Sequence, residues 1–221
     1  MRDGILVINK PQGLTSHDVV ECIRRIFHTK RVGHAGTLDP LATGVLIVLM
    51  GKATKLFNSF LNFDKEYIAT LTLGKITDTN DSQGKVLKTV SVPPISEDSV
   101  NNVFKEFEGE IQQIPPMVSA LRYKGKRLYH FARKGIQIPR KPRKITIKEL
   151  RVLKINCPEI EFYVKCSKGT YIRQLAYDIA LRLGCGGHIT RIERTSVGPF
   201  NIDEAVTIDN VNESNIRYWQ D

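Results

Sequence analysis

Val45 to Met50 is an uninterrupted apolar run that directly follows a glycine-rich loop. A run this short, bounded by turn residues, reads as a central strand of a sheet. Gly4 to Asn9 reads as a second buried strand, ended by the turn Lys10-Pro11-Gln12-Gly13. Thr15 and Asp18 match a capping box, and Val19, Ile23, Ile26 and Phe27 then recur at helical spacing as one core face. Tyr67 to Leu73 alternates as a half-buried strand does. Ser96 caps a second helix, with Val100, Val103, Phe104 and Phe107 inward and Gly109 at its close. Strands follow around Ile145 to Leu153 and Glu161 to Cys166. Thr170 is placed to cap a third helix, with Ile172, Leu175, Ala176, Ile179 and Leu183 inward and Gly184 at its end, before a last strand over Ile189 to Val197. Strands and helices mix without regular βαβ alternation, so the class is α+β.

The 221 residues suffice for one domain, or one with an insertion, and the net charge of +10 is not spread over it. From Ile111 to Lys148 there are eleven basic residues and no acidic one, which leaves 22 Lys and Arg against 23 Asp and Glu elsewhere. Such a concentrated field suits a polyphosphate partner, because binding releases condensed counterions; a solvated face that serves only solubility is the alternative. Tyr123, Tyr129, His130 and Phe131 interleave with the charges and favour RNA, since flat rings stack on unpaired bases. Lys126 to Lys134 reads as a short helix with Leu128 and Phe131 on one side. Pro115-Pro116 on one flank and Pro139 with Pro142 on the other predict that the segment projects from the body.

Several classes are disfavoured. The apolar run Ile5 to Ile8 is too short for a signal-peptide core or a membrane span, so the chain reads as cytoplasmic. Cys22, Cys157, Cys166 and Cys185 lack metal-ligand spacing, which argues against a structural zinc and predicts free core thiols. Asp78 to Gly84 superficially looks like a calcium loop, but Gln83 stands where the glycine is required and Thr89 where the bidentate glutamate should be, so a hairpin or loop is expected.

The stretch Gly33-His34-Ala35-Gly36-Thr37-Leu38-Asp39-Pro40-Leu41-Ala42-Thr43-Gly44 reads as a loop. Asp before Pro among glycines is by itself a turn former, and the spacing of a phosphate-binding loop is absent. Spacing alone does not decide what Asp39 does.

The segment from Gly33 to Leu46 resembles the catalytic signature of the TruB family, the bacterial tRNA pseudouridine-55 synthases. Lys10-Pro11-Gln12-Gly13-Leu14-Thr15-Ser16 is similar to the family's opening motif, and Lys65-Glu66-Tyr67 to its second active-site strand. Pro116 to Tyr129 resembles the RNA-gripping thumb. Ser167-Lys168-Gly169-Thr170-Tyr171-Ile172-Arg173 and Gly187-His188-Ile189-Thr190-Arg191-Ile192-Glu193-Arg194 complete the order, so the resemblance covers about residues 4 to 200.

That resemblance implies a pseudouridine synthase fold: a central mixed, mostly antiparallel sheet flanked by helices, with a basic thumb insertion at about 115–145. It implies isomerisation of uridine 55 in the TΨC loop of tRNA, with Asp39 as nucleophile, Arg173 as the cation that keeps it ionised, and Tyr67 stacked on the target base. The sequence leaves open whether Asp39 attacks C1′ of the ribose or C6 of the base. His34 is implied to fill space around the flipped nucleotides and Tyr171 to contact the substrate. Ile192, at a position usually leucine, would wall the uracil pocket. Arg122, Lys124, Lys126, Arg127, Arg133 and Lys134 would hold the T arm through its phosphates. The reaction transfers no electron and no group, so no cofactor and no metal are expected. The residues after the last motif leave no room for the PUA domain that many members carry, so one catalytic domain is expected over 1–221. Two rivals are a guide-RNA-dependent synthase, which needs that domain and protein partners, and a binding protein without catalysis. The self-contained thumb, and Asp39, Tyr67 and Arg173 together, favour a stand-alone enzyme acting as a monomer, with no obligate protein partner and no membrane.

Overall fold

A computed structural model describes residues 3–218. The chain runs through β1 (Gly4–Lys10), α1 (Ser16–Ile26), β2 (Val32–Ala35), β3 (Thr43–Met50), α2 (Phe57–Asn62) and β4 (Lys65–Leu73). Next come β5 (Lys75–Thr77), β6 (Val86–Thr89), α3 (Glu97–Glu106), β7 (Gly109–Gln113), β8 (Arg122–Tyr123), β9 (Lys126–Arg127) and α4 (Leu128–Ala132). The remainder holds β10 (Arg143–Asn156), β11 (Glu159–Cys166), α5 (Ile172–Arg182), β12 (Gly187–Val197) and β13 (Phe200–Asn201), followed by short 3₁₀ turns. The mixture is α+β, with helices packed on mixed, mostly antiparallel strands. It divides into two compact units, one formed by residues up to Ile68 together with those from Ile192, the other by Ala69–Arg191.

In the first unit β3 is central, as its apolar run predicts. β1 pairs with it antiparallel along its whole length, from Gly4 opposite Met50 to Lys10 opposite Gly44. The other edge of β3 is divided: β2 takes Ile47 to Met50, and β12 runs parallel to it at Thr43 and Gly44. Ile5, Val7, Val45, Ile47 and Leu49 bury one face against Phe60, Val197 and Phe200. The alternating residues Leu6, Ile8, Leu46, Val48 and Met50 are equally buried, which explains why the run shows no polar face. The sequence reading began the loop at Gly33, but Gly33, His34 and Ala35 are paired strand residues, so the loop proper begins at Gly36. The capping box of α1 forms as read: Thr15 Oγ1 accepts from Asp18 N at 3.1 Å and Asp18 Oδ2 accepts from Thr15 N at 2.8 Å. Ile26 departs from the expected core face, because the helix ends there and leaves it 40% exposed.

In the second unit β10 pairs antiparallel with β7 on one side and β11 on the other. Phe104 of α3 packs edge-on against Phe162 of β11, ring centres 5.7 Å apart. α5 buries Ile172, Leu175, Ala176, Ile179 and Leu183 as its periodicity predicts. Its N-cap is Tyr171 rather than Thr170, because the Thr170 hydroxyl donates to Ser167 O at 2.9 Å and closes the preceding turn. β5 and β6 form the hairpin expected around 78–84. In the basic segment Lys126 and Arg127 are strand, not helix: β8 and β9 make a hairpin turning at Lys124-Gly125, and only Leu128–Ala132 is helical. Of the four thiols Cys166 and Cys185 are buried, whereas Cys157 is exposed in the β10–β11 turn and is not a core residue. No helix among the described residues is long and apolar enough to cross a membrane.

Candidate active site

Asp39 is half-buried in the loop between β2 and β3, and the loop is pinned on both sides of it. Ser16, at the start of α1, holds Leu38 by two bonds: its hydroxyl donates to Leu38 O at 3.0 Å and accepts from Leu38 N at 2.8 Å. On the other side Gly13 N donates to Pro40 O at 2.8 Å, and Ala42 N closes a turn on Asp39 O at 3.0 Å. The first motif therefore serves the second. Its threonine starts the helix, and its serine and glycine fix the residues either side of the carboxylate.

The end of the loop rests on β12. Gly44, at φ +98°, lies so close to the Arg194 backbone that a Cβ there would meet Arg194 O at 2.2 Å. Only glycine permits that approach. The Arg194 side chain, 1% exposed, donates to Val45 O at 2.7 Å and to Gly36 O at 2.9 Å. Lys10 and Lys65 are buried cations of the same unit, and both donate to main-chain carbonyls: Lys10 Nζ to Pro11 O (2.8 Å) and Leu14 O (2.7 Å), Lys65 Nζ to Leu61 O (2.7 Å) and Phe63 O (2.5 Å). Burial pulls Lys10 down to about 8; the negative charge of Asp39 opposes the fall and Arg194 adds to it. Lys10, Asp39 and Arg194 thus share one electrostatic neighbourhood. Tyr67 is buried on the inward face of β4, His34 is half-buried on β2, and Ile192 is buried on β12.

Arg173 and Tyr171 lie in the second unit. Arg173, in the first turn of α5, is 3% exposed, against the ordinary expectation of a surface arginine. Its Nη1 donates to Thr79 O at 2.7 Å and pairs with Asp81 Oδ2 at 3.2 Å, and its Nη2 donates to Val118 O at 2.9 Å. Asp81 sits in the turn that fails as a calcium loop, and its role in holding Arg173 was not legible from that turn. Gln113, the last residue of β7, grips the Tyr171 main chain in both directions, accepting from Tyr171 N at 2.8 Å and donating to Tyr171 O at 3.1 Å. The side chains of Arg122, Lys124, Lys126, Arg127, Arg133 and Lys134 are all exposed. Arg133 stands over the Tyr129 ring at 5.4 Å and Lys124 over Tyr123 at 5.7 Å, so rings and charges share the surface of the insertion. Among the described residues no group of three or more His, Cys, Asp or Glu is arranged to hold a metal ion.

Asp39, His34, Tyr67 and Ile192 belong to the first unit; Arg173, Tyr171 and the six basic residues belong to the second. Sequence reasoning did not single out Ser16, Gln113, Asp81 or Arg194 for the work they do in placing these side chains.

A model described as TruB family pseudouridylate synthase (N terminal domain) matches residues 24–172, and one described as tRNA pseudouridylate synthase B C-terminal domain matches 173–221. A protein of Clostridium tetani named tRNA pseudouridine synthase B is 51% identical over 215 residues, covering 97% of this chain and 74% of that one. The protein of the same name from Syntrophotalea carbinolica is 49% identical, covering 94% and 68%. Among solved structures, a Cbf5-Nop10-Gar1 complex is similar with a TM-score of 0.76 and 31% identity over 98% of this chain and 60% of that chain. An H/ACA RNP bound to a substrate RNA containing 2'-deoxyuridine is similar with a TM-score of 0.71 and 32% identity, over 95% and 52%.

Proposed function

This chain belongs to the TruB family of pseudouridylate synthases and is an isomerase acting on tRNA, and from that premise we propose that it converts uridine 55 of the T loop to pseudouridine with Asp39 as nucleophile. The observation that carries the reading is the loop itself: Asp39 is partly open to solvent while both of its neighbours are pinned, Leu38 to Ser16 and Pro40 to Gly13. A carboxylate held this way is ready to attack without reorganising its backbone.

The reaction breaks the N1–C1′ bond, turns the uracil over and joins C5 to C1′. The C5 proton leaves and N1 ends protonated, so substrate and product are isomers and no redox cofactor or nucleotide enters the balance. Attack by Asp39, at C1′ or at C6, holds one fragment while the base turns. The target must first leave its stacked loop. Tyr67 is the ring on which the base stacks and the acceptor of the C5 proton, and its burial on a strand that also carries the buried Lys65 supports a fixed platform. Arg173 is the cation assigned to the nucleophile, and its hydrogen bonds to Thr79, Asp81 and Val118 support a guanidinium of fixed orientation. Tyr171 contacts the substrate from the same turn, His34 fills space beside the flipped nucleotides, and Ile192 walls the uracil pocket. Arg122, Lys124, Lys126, Arg127, Arg133 and Lys134 grip T-arm phosphates, with 115–145 as the RNA-holding insertion of one catalytic domain. The 51% identity to a protein named tRNA pseudouridine synthase B, against 31% to a chain of a Cbf5-Nop10-Gar1 complex, supports the stand-alone branch over the multi-protein one, and the protein is read as a monomer working in the cytoplasm without a protein partner.

Asp39→Asn tests the reading. The variant is expected to form no pseudouridine in an unmodified tRNA transcript while its tRNA affinity stays within a few-fold of the wild type. Full activity in that variant would show the nucleophile to be misassigned.

A further inference from the structure

Arg194 heads the large side chains that are fully buried among the described residues, and its hydrogen bonds do not account for its charge. Its side chain donates to two main-chain carbonyls, Gly36 O and Val45 O, a task a neutral amide performs without taking a positive charge out of water. Those carbonyls belong to the first residue of the Asp39 loop and to the third residue of β3, the strand that follows it, so one guanidinium spans the whole excursion. Gly44, one residue before Val45, abuts the Arg194 backbone, which fixes the point from which the side chain is launched. A Cβ on Gly36 would stand 3.4 Å from Arg194 Nη1 and 3.8 Å from Lys65 Cε, so the start of the loop lies beside two buried basic side chains.

We propose that Arg194 is the positioning residue of the nucleophile loop: its guanidinium ties Gly36 to Val45, sets where Asp39 stands, and directs positive charge at the loop that carries the carboxylate. The inference rests on Asp39 as nucleophile and adds what holds it for attack. Ser16 and Gly13 fix the loop's middle; Arg194 closes its ends. Lys10 senses both Asp39 and Arg194, which places the guanidinium within electrostatic range of the same groups.

The test uses the full chain and an unmodified tRNA transcript, with melting temperature, tRNA affinity and single-turnover pseudouridine formation measured for Arg194→Gln, Arg194→Lys and Asp39→Asn. The amide of Arg194→Gln can still donate to a carbonyl, and its single-turnover rate is expected to fall roughly 10- to 100-fold, the scale of a misplaced reacting group, with affinity within about threefold. Arg194→Lys keeps the charge and recovers part of the rate. A folded Arg194→Gln with an undiminished rate overturns the proposal, as does a loss of rate matched by an equal loss of affinity. If Arg194→Gln does not fold, Arg194→Lys decides: a slower rate at unchanged affinity supports the brace, and a wild-type rate overturns it. Asp39→Asn separates this from the reading beneath it. An active Asp39→Asn removes the nucleophile, whereas an inactive one beside an unimpaired Arg194→Gln removes only the brace.

Discussion

Arg173 and Asp81 face each other at 3.2 Å with side chains 4% and 7% exposed, so a turn at the tip of a hairpin holds the arginine of α5 inside the protein. The pair is 92 residues apart in sequence, and Arg173 also donates to the carbonyls of Thr79 and Val118. Val118 precedes the basic hairpin. One guanidinium therefore joins the 78–84 turn to the root of the basic hairpin.

Removing Asp81 takes away the buried carboxylate that Arg173 meets at 3.2 Å. Asp81→Ala is expected to lower the unfolding free energy by about 3–5 kcal/mol, the cost of breaking a buried pair by removing one of its members. Denaturant unfolding of the two proteins checks this. A cost below about 1 kcal/mol would place the pair with exposed ion pairs instead.

Lys10 gives the protein a predictable alkaline behaviour. Burial holds its folded-state value at about 8 against 10.5 in the unfolded chain, so between those values the unfolded state binds more protons than the folded one. The Lys10 contribution to stability therefore rises with pH through that window. Relative to Lys10→Met, the wild type is expected to gain about 2 kcal/mol between pH 7.5 and pH 10. Parallel stability curves for the two proteins would contradict this.

The exposed charges of the basic hairpin should govern salt dependence. Replacing Lys126 and Arg127 together by glutamine removes two of the proposed phosphate partners, and the slope of log affinity against log salt is expected to fall by roughly 1.5. Filter binding over a salt series measures it. An unchanged slope would take this hairpin out of the RNA contact.

The sequence was most legible where a signal is local. The Val45–Met50 run, the Thr15–Asp18 capping box and the alternation of β4 needed only near neighbours, and all appear in the structure. Gly33 to Ala35 was missed as a strand because two small residues and a histidine carry no alternating pattern; pairing with β3 makes them strand. Thr170 was misread as a cap because a hydroxyl before a helix can turn back to a carbonyl three residues earlier, as it does to Ser167. The residues that place the site were hidden for a different reason. Arg194 reaches back 149 and 158 residues to Val45 and Gly36, and no periodicity encodes such a partner. Asp39, Tyr67 and Arg173 were identified from the family's motifs, since an Asp-Pro turn alone does not announce a nucleophile.

The most direct test of the account gives purified protein an unmodified tRNA transcript, with no nucleotide or metal added, and maps pseudouridine by carbodiimide labelling and primer-extension stops. A single new stop at the T-loop uridine is the predicted result. No new stop, from protein that still binds the transcript, would contradict the assignment and leave a protein that holds tRNA without modifying it.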